Sequence, residues 1–269
     1  TWLRGWQRSP VPKSENLFIM KKTNTTILAL AAGMALIGVQ AAEWGNWRGP
    51  NYNGSTDEKN LPAKFSKTKN VIWSVKMDGP SAGTPIVWGE HVYVSSSNPD
   101  AERLMANCYD RGTGALKWAH QVSKGHRQDN RSNYAAPSPV TDGQVVTFFY
   151  GNGELATFTP EGEKLWSQNI QKKHGQFAFL WTFSTSPIIH DGILYMQVLQ
   201  RDTKVGSKGS NDNRSYLLAL DPKSGRQLWK VYRPAKARSE SLEAFSTPIP
   251  FTHNGRSEIL ITGGDCLTG

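Results

Sequence analysis

Three stretches of this 269-residue chain end alike, and that repetition constrains the fold more than any other feature. Asp110, Gly114 and Trp118 stand at the same spacing as Asp221, Gly225 and Trp229, so D-x-x-x-G-x-x-x-W occurs twice. Gly162 and Trp166 repeat its second half, in a copy one residue shorter in the turn with Thr159 in place of Asp. An Asp carboxylate can accept backbone N–H groups at the start of a tight turn. Glycine supplies the positive φ that closes it. The strand that follows delivers a Trp ring at a fixed offset in every unit.

A second element opens each unit. Thr84-Pro85, Ser138-Pro139, Ser186-Pro187 and Thr247-Pro248 each lead into a short apolar strand, a turn and a second apolar strand. Asp142-Gly143 and Asp191-Gly192 are strong hairpin signals, and Pro at a strand entrance costs no ladder bond. Trp73, Trp118 and Trp166 are spaced at 45 and 48 residues, the length of one four-stranded blade of about 40–50 residues. Trp229 follows after 63, the interval being lengthened by the polar run 201–214, read as a loop within one blade. The fold class is therefore all-β, a β-propeller of four-stranded antiparallel blades. Repeats lie at 84–118, 138–166, 186–229 and 247–269, about three and a half blades in all.

From this follow specific expectations. Trp118, Trp166 and Trp229 are equivalent, each buried between adjacent blades, whereas Trp88 sits on a hairpin turn and packs lightly. Val71–Val75 reads as an outermost strand with no blade before it, leaving Trp73 without a partner unit. Residues 42–269 then form the N-terminal part of a larger ring.

The pattern Ala219-x-Asp221…Gly225…Trp229 resembles the tryptophan-docking motif of PQQ-like, quinoprotein-type β-propeller repeats. The segment at 108–118 departs from it only in having Cys108 first. The opening Trp44–Asn51 is similar to that of exported bacterial members, and the resemblance spans residues 44–269 in tandem units. It implies that the docking Trp residues hold blades together rather than bind a cofactor. It also implies two branches: dehydrogenases of alcohols or sugars that use PQQ and calcium, and cofactor-free propellers such as the outer-membrane assembly scaffold. The vicinal disulfide frequent in the dehydrogenases is missing, since Cys108 and Cys266 stand alone. The expectation is an exported binding or scaffolding module without cofactor, taking a protein or a small-molecule or saccharide ligand at the propeller face. The alternative is the N-terminal part of a PQQ- and calcium-dependent dehydrogenase.

The amino-terminal region supports export. Lys21 and Lys22 follow Met20, an apolar stretch runs from Ile27 to Val39, and Val39-Gln40-Ala41 places small residues at a cleavage site. This is the order of a secretory signal peptide, 20–41, preceded by a non-native extension at 1–19. The mature protein is expected in the periplasm or secreted, and not membrane-spanning. The formal charge of +9 falls to +5 once residues 1–41 are removed, with no basic block, so nucleic-acid binding has no support. The two cysteines have no metal-ligand spacing and are read as unpaired, buried small hydrophobes.

No catalytic residue or metal site emerges. His91, His120, His190 and His253 are read as structural, and Gly263-Gly264-Asp265 as a strand-end turn. The loop carrying His126, Arg127, Asn130, Arg131, Asn133 and Tyr134 is dense in hydrogen-bond donors. It is either a ligand-facing channel rim or a solvated connector, the latter preferred. Phe177, Phe179, Trp181 and Phe183 could stack a ring ligand but are expected to pack blades.

Overall fold

The computed structural model describes residues 43–269. The upstream extension and the signal segment lie outside them. Strands β1 (Ile86–Trp88), β2 (His91–Asn98), β3 (Arg103–Asp110) and β4 (Leu116–Lys124) form the first antiparallel sheet, in chain order. Strands β5 (Val140–Thr141), β6 (Val146–Phe149), β7 (Glu154–Phe158) and β8 (Lys164–Asn169) form the second. The third comprises β9 (Ile188–His190), β10 (Ile193–Val198), β11 (Tyr216–Leu220) and β12 (Gln227–Tyr232). A three-stranded sheet follows, of β13 (Ile249–His253), β14 (Arg256–Gly263) and β15 (Cys266–Thr268). The first strands β1, β5 and β9 neighbour one another, so the sheets are blades arranged about a common axis.

Burial follows from that arrangement. The middle strands are sandwiched between blades and are buried on both faces, as in β6 and β11. The outermost strands β4 and β8 are largely exposed or half-buried along their length. One apolar cluster joins Phe148 and Phe158 of the second blade to Tyr93, Leu104 and Cys108 of the first. Another joins Val140, Phe149 and Leu155 to Leu194, Met196 and Leu218 of the third.

The turns ending in Trp strands follow their local chemistry. Asp110 Oδ1 accepts the amides of Gly112 and Thr113, at 3.1 and 2.9 Å. Asp221 Oδ1 accepts those of Lys223 and Ser224, at 2.8 and 3.2 Å. In the shorter middle turn Thr159 Oγ1 accepts from Glu163 N at 3.2 Å. Gly114, Gly162 and Gly225 close these turns at φ of 73°, 96° and 69°.

Trp118 and Trp166 dock on the turn of the next blade. Trp118 Nε1 donates to Pro160 O at 2.9 Å and Trp166 Nε1 to Pro222 O at 2.8 Å. Their rings lie over Gly162 and Gly225, where a Cβ would approach ring carbons to 2.6 Å. The same geometry overturns the expectation for Trp73. Its Nε1 donates to Arg111 O at 2.7 Å, and its ring covers Gly114. Trp73 therefore occupies the place of a preceding blade's docking residue, although residues 71–75 join no sheet.

The Trp229 ring packs on Tyr195, centroids 5.8 Å apart, and is 37% exposed. Two further expectations are corrected. Trp88 is half-buried, its ring wedged between Gly45 and Gly143, so the turn of the next blade rests on it. Cys266 is exposed at the start of the edge strand β15, while Cys108 is fully buried.

Antiparallel pairing divides the loops between two faces. The β1–β2 and β3–β4 turns, with the docking residues, lie at one end of each blade. The β2–β3 turn and the connector to the next blade lie at the other. Main-chain bonds knit that second face together. Gly125 N donates to Glu102 O at 2.6 Å, Gly151 N to Tyr134 O at 2.8 Å and Arg201 N to Ala178 O at 3.2 Å.

Candidate functional site

The connector face brings together both loops singled out in the sequence. The segment 126–134 links the first and second blades and 174–183 the second and third. The insertion 201–214, between β10 and β11, reaches the same place. A short helix α1 (Ile170–His174), capped by Asn169, starts the second of these connectors.

Two carboxylates pin the connector 174–183 from opposite sides. Asp129 Oδ2 accepts from the amide and hydroxyl of Thr182, both at 2.7 Å. Its Oδ1 accepts from Arg131 N and Ser132 N, at 2.8 and 2.9 Å. Burial opposes the Asp129 charge, but these four bonds outweigh it and hold its carboxyl at about 2. Glu243, on the connector to β13, accepts from Leu180 N at 3.1 Å and pairs with Arg201 Nε at 2.5 Å. Sequence reasoning named neither acid; the signal it passed over was a carboxylate inside each donor-rich connector.

The sequence-nominated residues divide. His126 is tied inward, its Nδ1 2.8 Å from Ser97 Oγ. Asn133 is buried and its Oδ1 accepts from Ala135 N at 2.8 Å, shaping the loop itself. Asn130 is exposed. Arg131 is also exposed and stacks on Trp181, its guanidinium carbon 5.3 Å from the ring centroid. Arg127 and Tyr134 line a cleft of about 240 Å³ with Trp181 and Lys208. Phe177, Phe179 and Phe183 pack on one another as buried core, with Phe177 and Phe183 centroids 4.9 Å apart. Trp181 alone of the four aromatics stays half-exposed.

The histidines have neighbours in the sheets: His91 stacks on Tyr93 and His120 on Phe158. Among the described residues no three His, Cys, Asp or Glu side chains converge where a metal ion could be held. No helix among the described residues is long and apolar enough to cross a membrane.

Consecutive four-stranded blades, Trp118 and Trp166 docked on the turns of the blades that follow them, and a loop-built face opposite those turns define a β-propeller of tandem docking repeats. The chain matches the protein family described as outer membrane protein assembly factor BamB over residues 55–207, and it belongs to that PQQ-like repeat family. It is 25% identical over 205 residues to a polyvinylalcohol dehydrogenase from a Pseudomonas species, covering 72% of this chain and 29% of that protein. The chain thus spans less than a third of the length of that curated relative. Among solved structures it is similar to a quinohemoprotein alcohol dehydrogenase from Pseudomonas putida, at 16% identity and a TM-score of 0.45, over 71% of this chain and 30% of that one. It is also similar to BamB from Moraxella catarrhalis, at 15% identity and a TM-score of 0.36, over 63% and 57% of the two chains.

Proposed function

We propose that this protein is an exported binding or scaffolding module that presents its connector face to a partner protein. The observation carrying this reading is the pinning of connector 174–183 between Asp129 and Glu243. A long loop on a rigid scaffold is ordinarily mobile. Here carboxylates from the neighbouring connectors fix it, so the face is preorganised, which lowers the ordering cost of binding. Family membership and the dibasic, apolar, small-residue order of residues 20–41 support export to the periplasm or beyond.

The test is site-specific photo-crosslinking in the exporting cell. A photoreactive residue at Asn130 or Leu180, on the connector face, should give a discrete adduct with another protein. One at Thr113 or Glu161, on the opposite face, should not. Equal labelling from both faces, or none from either, overturns the proposal.

The likeness to a polyvinylalcohol dehydrogenase favours a second reading, that of a PQQ- and calcium-dependent oxidoreductase unit. Addition of PQQ and Ca²⁺ with an artificial electron-accepting dye separates the two. Alcohol-dependent dye reduction supports the second reading, and its absence alongside connector-face adducts supports the first.

A further inference from the structure

The cleft on the connector face is lined by two cationic side chains and, among the described residues, by no carboxylate. Arg127 and Lys208 line it with Tyr134, Gln176 and Trp181, over the buried ring of Phe179. Lys208 Nζ donates to Phe179 O at 2.8 Å and Leu180 O at 3.3 Å. Arg127 Nη2 donates to the same Leu180 carbonyl at 3.2 Å. Two cations therefore converge on one neutral oxygen.

Arg127 has a carboxylate partner, whereas Lys208, among the described residues, has none within ion-pairing distance. Asp129 Oδ2 lies 3.7 Å from Arg127 Nη2, and its other contacts are with neutral donors of Thr182, Arg131 and Ser132 that keep it ionised. Glu243 is held by Arg201 and Leu180 N. Burial chiefly lowers the lysine's pKa and the Arg127 charge lowers it further, while the more distant Glu243 and Asp129 charges act the other way. An anion placed between the two would relieve that repulsion and gain charge-assisted hydrogen bonds.

The size of the cleft narrows the class. About 240 Å³ lies below the roughly 300–1,000 Å³ of sites for drug-sized ligands. Its apolar walls are aromatic, which suits a flat ring. We propose that this cleft binds a one-ring organic carboxylate, its carboxylate between Lys208 and Arg127 and its ring against Trp181 and Phe179. The proposal rests on reading the connector face as the binding face.

Benzoate and its neutral isostere benzamide test it, added to the full chain and followed by saturation-transfer NMR. Benzoate should bind at least about tenfold more tightly than benzamide, the effect of one charge-assisted contact. Lys208→Met should remove that preference, and Lys208→Arg should keep it. Equal binding of the two compounds, no benzoate binding, or an undiminished preference in Lys208→Met overturns the proposal. Should Lys208→Met not fold, the preference in the unaltered protein and its retention in Lys208→Arg decide. Failure with benzoate while connector-face cross-links persist removes the ligand class and leaves the binding face standing. Loss of both removes the face as well.

Discussion

The amide of Ser138 donates to the hydroxyl of Ser186, 2.9 Å away and 48 residues on. The bond repeats one blade earlier, where Thr84 N donates to Ser138 Oγ, also at 2.9 Å. Both residues stand just before the proline that opens a blade. Proline denies the entrance strand one donor, and the Ser or Thr before it supplies a lace from blade to blade near the axis. Trp118 and Trp166 make the corresponding links at the opposite end. Consecutive blades are thus tied at both an inner and an outer point.

Ser138→Ala should therefore destabilise the protein although it removes a single oxygen. Ser138 is buried, and its loss leaves Thr84 N without an acceptor, a penalty of about 1–3 kcal/mol. A reduced midpoint of denaturant unfolding would show it. Ser224→Ala, on an exposed turn, should shift the midpoint by no more than about 0.5 kcal/mol, and equal effects at both sites would remove the lacing argument.

The docking contacts should be costly to lose from either side. Trp118→Ala removes a half-buried ring and its bond to Pro160, at a cost of about 3 kcal/mol. Gly162→Val should match Trp118→Ala, because its Cβ would fall 2.6 Å from the Trp118 ring at a φ of 96°. An unfolding midpoint for Gly162→Val close to that of the unaltered protein would contradict the assignment of partners.

These contrasts show what could be read in the sequence. The turn of Asp110 and Gly114 is local chemistry over a few residues, so its spacing discloses both the turn and the strand after it. The docking direction is not local. That Trp73 lies on Gly114 and Trp118 on Gly162 depends on how neighbouring blades stack, and no spacing records it. Hence Trp73 was expected to stand alone, whereas its ring lies on the turn of the first blade. The connector face was legible only as two polar or aromatic stretches. Their meeting depends on Asp129 reaching Thr182 across 53 residues. The Ser/Thr-Pro pairs were visible as strand entrances, but their hydroxyls' role requires the next blade in place.

The two thiols should behave oppositely. Cys266 is exposed and Cys108 is buried, where burial chiefly pushes its thiol up to about 12. An aromatic disulfide reagent at neutral pH should titrate one thiol in the native protein, and the second only on unfolding. Loss of all native labelling in Cys266→Ser identifies the site. Rapid modification of both thiols would mean that the packing of the first blade on the second is looser than described.

Stability should fall between about pH 6.5 and pH 4 through His174. Burial lowers its pKa, and the charges of Lys230 and Lys173 lower it further, to about 4. In the unfolded chain the ring titrates near its ordinary value of about 6.5. Above that pH both states carry neutral His174, and the group has no effect on folding. Between the two values the unfolded chain binds a proton that the folded protein refuses, so stability decreases as pH falls. Below about 4 both states are protonated and this contribution levels off, leaving only the titration of carboxylates. Asp129 acts in a separate window: its folded value of about 2 lies below the usual carboxylate range, so its contribution is lost mainly below pH 4. His174→Gln should flatten the midpoint of thermal unfolding between pH 6.5 and 4 relative to the unaltered protein. An unchanged slope in His174→Gln would assign the effect to another group.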